Sequence, residues 1–230
     1  MKNRYLLPLL ALLFFSCNTD NQDAVLDKLS DNFEAEVTSS REFKMNDENN
    51  ESYAAFKVKL TNSKMLDSLR KDLVCPSVAM MLLDGFTEEE KEKFGYIMVE
   101  TINSQTGEST EYKYQPEVLE PYVIKSKVFT DFSNHIVDGN HESIAKTVIE
   151  KYRTPTLGSQ LANYMKALTD EHGEIEGYSR TTFRLHESSD GEELWVYDGV
   201  LHFADGYKRP YHITTSTKVG EAYISGYQLD

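Results

Sequence analysis

The chain has 230 residues, 27% charged and 40% hydrophobic, with a formal net charge of −14. That length suits one large domain or two small ones, and so acidic a balance argues against nucleic acid or anionic lipid as a charge-driven partner. Cys17 and Cys75 are the only cysteines, which excludes a cysteine-built zinc site.

Lys2 and Arg4 open the chain, Leu6 through Phe15 are apolar apart from Pro8, and the small Ser16 precedes Cys17. A basic start, an apolar run of about ten residues and a small residue at the cut form the signal-peptide pattern. The run is shorter than the roughly 20 residues that a membrane span needs. Phe14-Phe15-Ser16-Cys17 resembles the lipobox of bacterial lipoproteins, with Phe14 where the usual motif prefers Leu. The resemblance implies that residues 1–16 are removed and that Cys17 becomes the lipid-bearing first residue, anchored at a membrane by several acyl chains. It further implies a cell-envelope protein, with the outer membrane favoured over the inner and the leaflet open. Once Cys17 is acylated, Cys75 has no partner for an intramolecular disulfide. Residues 17–32 then read as lipid anchor and tether, polar over 18–23 and acidic at Asp20 and Asp23.

Residues 33–115 are expected to form a small α+β module ordered β-β-α-β-β. Phe56, Val58 and Leu60 alternate with Lys57 and Lys59, the period of a half-buried strand over 53–60. Its partner is expected over 41–45, across a polar hairpin loop at 46–52. Ser63 can cap a helix over 64–74, which Cys75-Pro76 should break because proline disfavours helix in the residue before it. Residues 77–83 read as buried helix, and Thr87 with Glu90 fits a capping box. Two further strands, 96–102 and 111–114, complete the module.

Residues 117–230 begin with three helical stripes. Leu119, Tyr122, Phe129, Phe132 and Ile136 mark the first; Ile144, Ala145, Val148, Ile149 and Tyr152 the second; Leu157, Leu161, Tyr164, Met165 and Leu168 the third, stopped at His172-Gly173. Strand-like runs at 174–186, 193–204, 207–218 and 221–229 are joined by short links, so neighbours should pair antiparallel. Three helices before such a meander resemble the nuclear transport factor 2-like (cystatin-like) cone. Thr156-Leu157-Gly158, His172-Gly173-Glu174-Ile175 and Gly226-Tyr227 are similar to small exported domains of this type. The resemblance implies three helices packed on a curved four-stranded antiparallel sheet, with a pocket between them. That fold hosts enzymes, binding proteins and assembly modules alike, so it does not deliver a function.

Motif chemistry is sparse. Asp198 and His202 share one strand face but stand roughly 13 Å apart, so each needs a partner on a neighbouring strand; His202 should face a residue near Arg209. His141-Glu142 and His186-Glu187 are sequence neighbours whose side chains diverge, and neither an HExxH nor an EF-hand spacing occurs. Cys75, between Val74 and Pro76, reads as a buried inert thiol. The 14 Tyr, 11 Phe and one Trp supply the best sign of binding, because such rings combine an apolar body with a polar tip. Trp195, Tyr197 and Tyr211 on the strands and Tyr164 on the third helix are expected to group around one concave ligand site. These features describe a membrane-anchored, non-catalytic module that binds a small apolar ligand or an envelope protein, with no cofactor, no metal and no catalytic residue assigned. The alternative is an enzyme using a His/Asp/Tyr pocket in the C-terminal cone.

Overall fold

The structure is a computed structural model describing residues 18–46, 51–189 and 191–229. The expected signal peptide and Cys17 lie outside the described residues, as does part of the hairpin loop expected at 46–52. Among the described residues are seven α-helices and two four-stranded sheets, one mixed and one antiparallel.

The first element corrects the sequence reading. Most of the stretch expected to be a tether is a helix, α1 (Asp20–Phe33). Thr19 and Gln22 form a capping box, with Asp20 and Asp23 in the first turn where carboxylates favour the helix dipole. Val25, Leu26, Leu29 and Phe33 make its buried stripe, and Glu34 ends it in the left-handed region.

β1 (Glu36–Asn46) pairs antiparallel with β2 (Glu51–Thr61), β2 runs parallel to β3 (Tyr96–Ile102), and β3 pairs antiparallel with β4 (Ser109–Tyr114). Phe56, Val58 and Leu60 are buried, while Lys57 turns outward between Glu100 (2.7 Å) and Glu111 (2.6 Å). Three helices connect β2 to β3: α2 (Lys64–Ser68), α3 (Lys71–Gly85) and α4 (Glu88–Glu92). Ser63 caps α2, and Thr87 with Glu90 forms a capping box on α4.

The expected break at Cys75-Pro76 is absent. The chain breaks earlier, at extended Leu69 and Arg70, and α3 runs through Pro76. Proline inside a helix costs about 3 kcal/mol. Against that, Val74, Cys75, Val78, Ala79, Met80, Leu82 and Leu83 are all buried, each large apolar side chain contributing roughly 1.5–3 kcal/mol. The burial outweighs the proline. A helix apolar on every side must be covered on every side, and α3 is the central rod of the molecule.

The second half comprises α5 (Pro116–Val137), α6 (His141–Thr147), a short 3-10 turn (Glu150–Tyr152), α7 (Leu157–His172), β5 (Ile175–Glu187), β6 (Glu193–Phe203), β7 (Lys208–Ser216) and β8 (Ile224–Leu229). The four strands lie in chain order, antiparallel throughout. On one side α3 meets β3 and β4; on the other it meets α5 and β5. A single apolar core runs from Leu29 and Phe33 through Val78 and Leu82 to Phe129, Tyr197 and Tyr211. The two sheets fall on either side of residues 115–117, and this one apolar core joins them.

Candidate functional site

β5 is irregular at its centre. Its register against β6 shifts between Arg180 and Phe183, and α1 covers the irregularity. The Asn32 amide donates to the Arg180 carbonyl at 2.5 Å and accepts from the Arg180 N–H at 2.8 Å. One side chain thus takes the place of a neighbouring strand, and Arg180 is held by its backbone from both directions.

The Arg180 side chain is 7% exposed. Its Nε is buried with no hydrogen-bond partner among the described residues. Burial lowers its pKa, and Asp84 opposes that only through space; the guanidinium stays charged in any protein setting. Burying a charge without a partner is costly, so this position is the least expected in the fold.

Arg180 lines a cavity of about 360 Å³ where four elements meet. Lys28 and Asn32 come from α1, Met81 and Asp84 from α3, Phe129, Thr130, Asn134, Val137 and Asp138 from α5, and Gly177 and Tyr178 from β5. The Tyr178 hydroxyl donates to Asn134 Oδ1 at 3.0 Å, and burial raises its pKa. Met81, Phe129, Val137 and the Tyr178 ring give the cavity an apolar wall; Arg180, Asn134 and Thr130 give it polar points. Polar and apolar residues share the lining about evenly, and a concave space with a few fixed polar groups is a form that small-molecule sites take. No histidine, cysteine or serine is among the described residues that line it.

The four residues expected to form the ligand site are placed otherwise. Trp195 faces α5 and packs against Tyr122 and Phe183 at 4.8 and 6.3 Å between ring centroids. Tyr197 and Tyr211 both pack on Phe129, Tyr211 stacked at 5.5 Å. The Tyr211 hydroxyl meets Ser133 Oγ at 2.5 Å, and Tyr197 donates to the Tyr122 carbonyl at 3.0 Å. Tyr164 lies apart, half-buried, accepting from Arg209 at 2.5 Å. Three of the four face α5 rather than the third helix, and the space they would enclose is filled by α5 rings. Gly199 makes this possible: a Cβ there would stand 2.7 Å from Phe129 and 2.9 Å from Tyr211.

The imidazoles make local pairs. His202 Nε2 meets Ser179 Oγ at 2.7 Å across β5 and β6, and His202 is paired with Lys208, with Arg209 opposite Leu201. Nucleophile–base reach alone is insufficient without a third group to orient the ring. Asp198 is engaged by Thr182 and Arg184. His172 Nδ1 meets Asp205 at 2.9 Å and stacks on Tyr207 at 3.8 Å, closing the β6–β7 turn against the end of α7. No group of three or more metal-ligating side chains gathers among the described residues, and no helix among them is long and apolar enough to cross a membrane.

Sequence reasoning missed Arg180, Asn32 and Asn134. Ser179-Arg180-Thr181-Thr182 reads as a polar, solvent-facing strand segment; it is buried because α1 and α3 cover it. The only local signal was the α1 stripe itself, which runs directly into Asn32. Comparison with known proteins adds no name: no protein-family model matches the chain, and no curated protein or solved structure matches it.

Proposed function

We propose that the chain is an exported lipoprotein, held at the cell envelope by lipid on Cys17, whose folded part is a non-catalytic small-molecule-binding module. The anchor rests on the basic, apolar and small-residue order of residues 1–16 before Cys17. The order of α5, α6 and α7 before an antiparallel meander, with α5 packed on β5, supports the likeness of residues 117–230 to the nuclear transport factor 2-like cone. Binding is carried by one observation: buried Arg180, its Nε without a partner among the described residues, lines a cavity whose walls come from both halves. The ligand site accordingly moves from the aromatic face of the sheet to the junction of α1, α3, α5 and β5.

The anchor is tested by growing cells with labelled palmitate. Wild type should carry label in the membrane fraction and Cys17→Ala should carry none; label on the variant overturns the lipidation. The binding reading is tested by amide NMR with small fragments, expected to shift signals of α1, α5 and β5 around Arg180. Shifts confined to Trp195, Tyr197, Tyr211 and Tyr164 would return the site to the sheet face.

A further inference from the structure

We propose that the Arg180 cavity takes a compact monocarboxylate with an apolar or aromatic body. This rests on the binding reading above and names the ligand class it leaves open.

A guanidinium presents a planar fork of donors that matches a carboxylate in two parallel hydrogen bonds. Arg180 is the one cationic group at the cavity's buried end, with Nε unpartnered; Lys28 stands exposed on α1 at the rim. The second polar anchor is Asn134, whose Oδ1 is already taken by the Tyr178 hydroxyl. That bond fixes the amide and leaves Nδ2, a donor, as the group it can offer an anion. Asn134 thus adds a donor to the same lining as the guanidinium.

Charge sets the upper limit. Asp84 and Asp138 also line the cavity, but both are exposed and screened by water, whereas Arg180 is buried. One further negative charge is compensated locally by the desolvated guanidinium. A dianion such as a phosphate monoester would place its second charge against Asp84 and Asp138, which repel it. Size and polarity complete the class. About 360 Å³ is near the lower end of ligand cavities, and Met81, Phe129, Val137 and the Tyr178 ring give an apolar body a wall to pack on.

A structural role predicts the opposite behaviour on substitution. A buried cation that makes no ion pair contributes little to folding, so an apolar residue of similar length should be neutral or stabilising. Arg180→Met is expected to keep or raise the melting temperature while losing the ligand.

The test is titration of the full folded chain with benzoate, benzamide and phenyl phosphate near pH 7, read by amide NMR shifts around the cavity. Benzoate should bind more tightly than the neutral amide and the dianion. Arg180→Met should weaken benzoate at least about tenfold, the usual worth of a charged hydrogen bond, and leave benzamide unchanged. Asp84→Asn, at an exposed site, should tighten benzoate several-fold by removing a competing carboxylate, and it keeps the test valid should Arg180→Met fail to fold. If all three probes bind alike and both variants leave benzoate unaffected, the carboxylate inference fails while the binding cavity stands. Phenyl phosphate binding tighter than benzoate also overturns it. If none of the probes shifts any cavity amide, the inference and the binding reading fail together.

Discussion

Cys75 is fully buried on α3, where loss of solvent disfavours the thiolate and pushes its pKa from 9.0 up to about 12. The thiolate is the reactive form, so a thiol reagent near pH 8 should label the protein only after denaturant is added. Labelling of the native chain at the rate of a free thiol would show that α3 opens. The same shift has a consequence for stability. The folded pKa is raised, so the contribution is fully present below about pH 9 and is lost as pH climbs towards 12. Burial moves the phenols of Tyr197 and Tyr211 in the same direction. Alkaline unfolding should therefore be cooperative, with their phenolate absorbance appearing together with loss of near-UV circular dichroism. Cys75 was legible beforehand because its neighbours Val74, Val78 and Ala79 are apolar in sequence. Arg180 was not, because what buries it comes from α1 and α3, far away along the chain.

At the scale of elements, α1 joins the anchor end of the chain to the candidate site. Its stripe of Val25, Leu26, Leu29 and Phe33, and its Thr19–Gln22 cap, were both present in the sequence. They were hidden by reading an acidic stretch after Cys17 as a solvated tether, when acidic residues also belong in the first turn of a helix. The proline in α3 misled for a related reason: local propensity is a weak guide when the surrounding burial is several times larger. Asn32 tests what α1 does. Asn32→Ala leaves the Arg180 N–H and carbonyl without partners inside the protein and should cost about 1–3 kcal/mol, read from the denaturation midpoint. Asn32→Asp, which can only accept when ionised, should restore the N–H half of the pair alone. If Asn32→Ala is neutral, water reaches the β5 bulge and the backbone of Arg180 is not held by α1.

Across the whole molecule, the sequence divides more readily than the structure does. The antiparallel meander after three helices was legible because its turns are short and its strands long, and a boundary near Pro116 followed from the change of period there. The two sheets lie on either side of it. What it could not show is that α3, assigned to the first half, has no face of its own to leave exposed. Met80 illustrates the sharing: it is buried on α3 and lies with Tyr122 and Phe183, the two rings that hold Trp195 in the second half. Met80→Ala removes about 2–5 kcal/mol of packing. Were the halves independent, the fluorescence transition of Trp195, the only tryptophan, would stay in place while the circular dichroism of the first half moved. With one core, both midpoints should shift by the same denaturant concentration and remain coincident, the mark of a single cooperative unit. Separated midpoints would restore two domains and would leave the cavity, whose walls come from both, without a rigid frame.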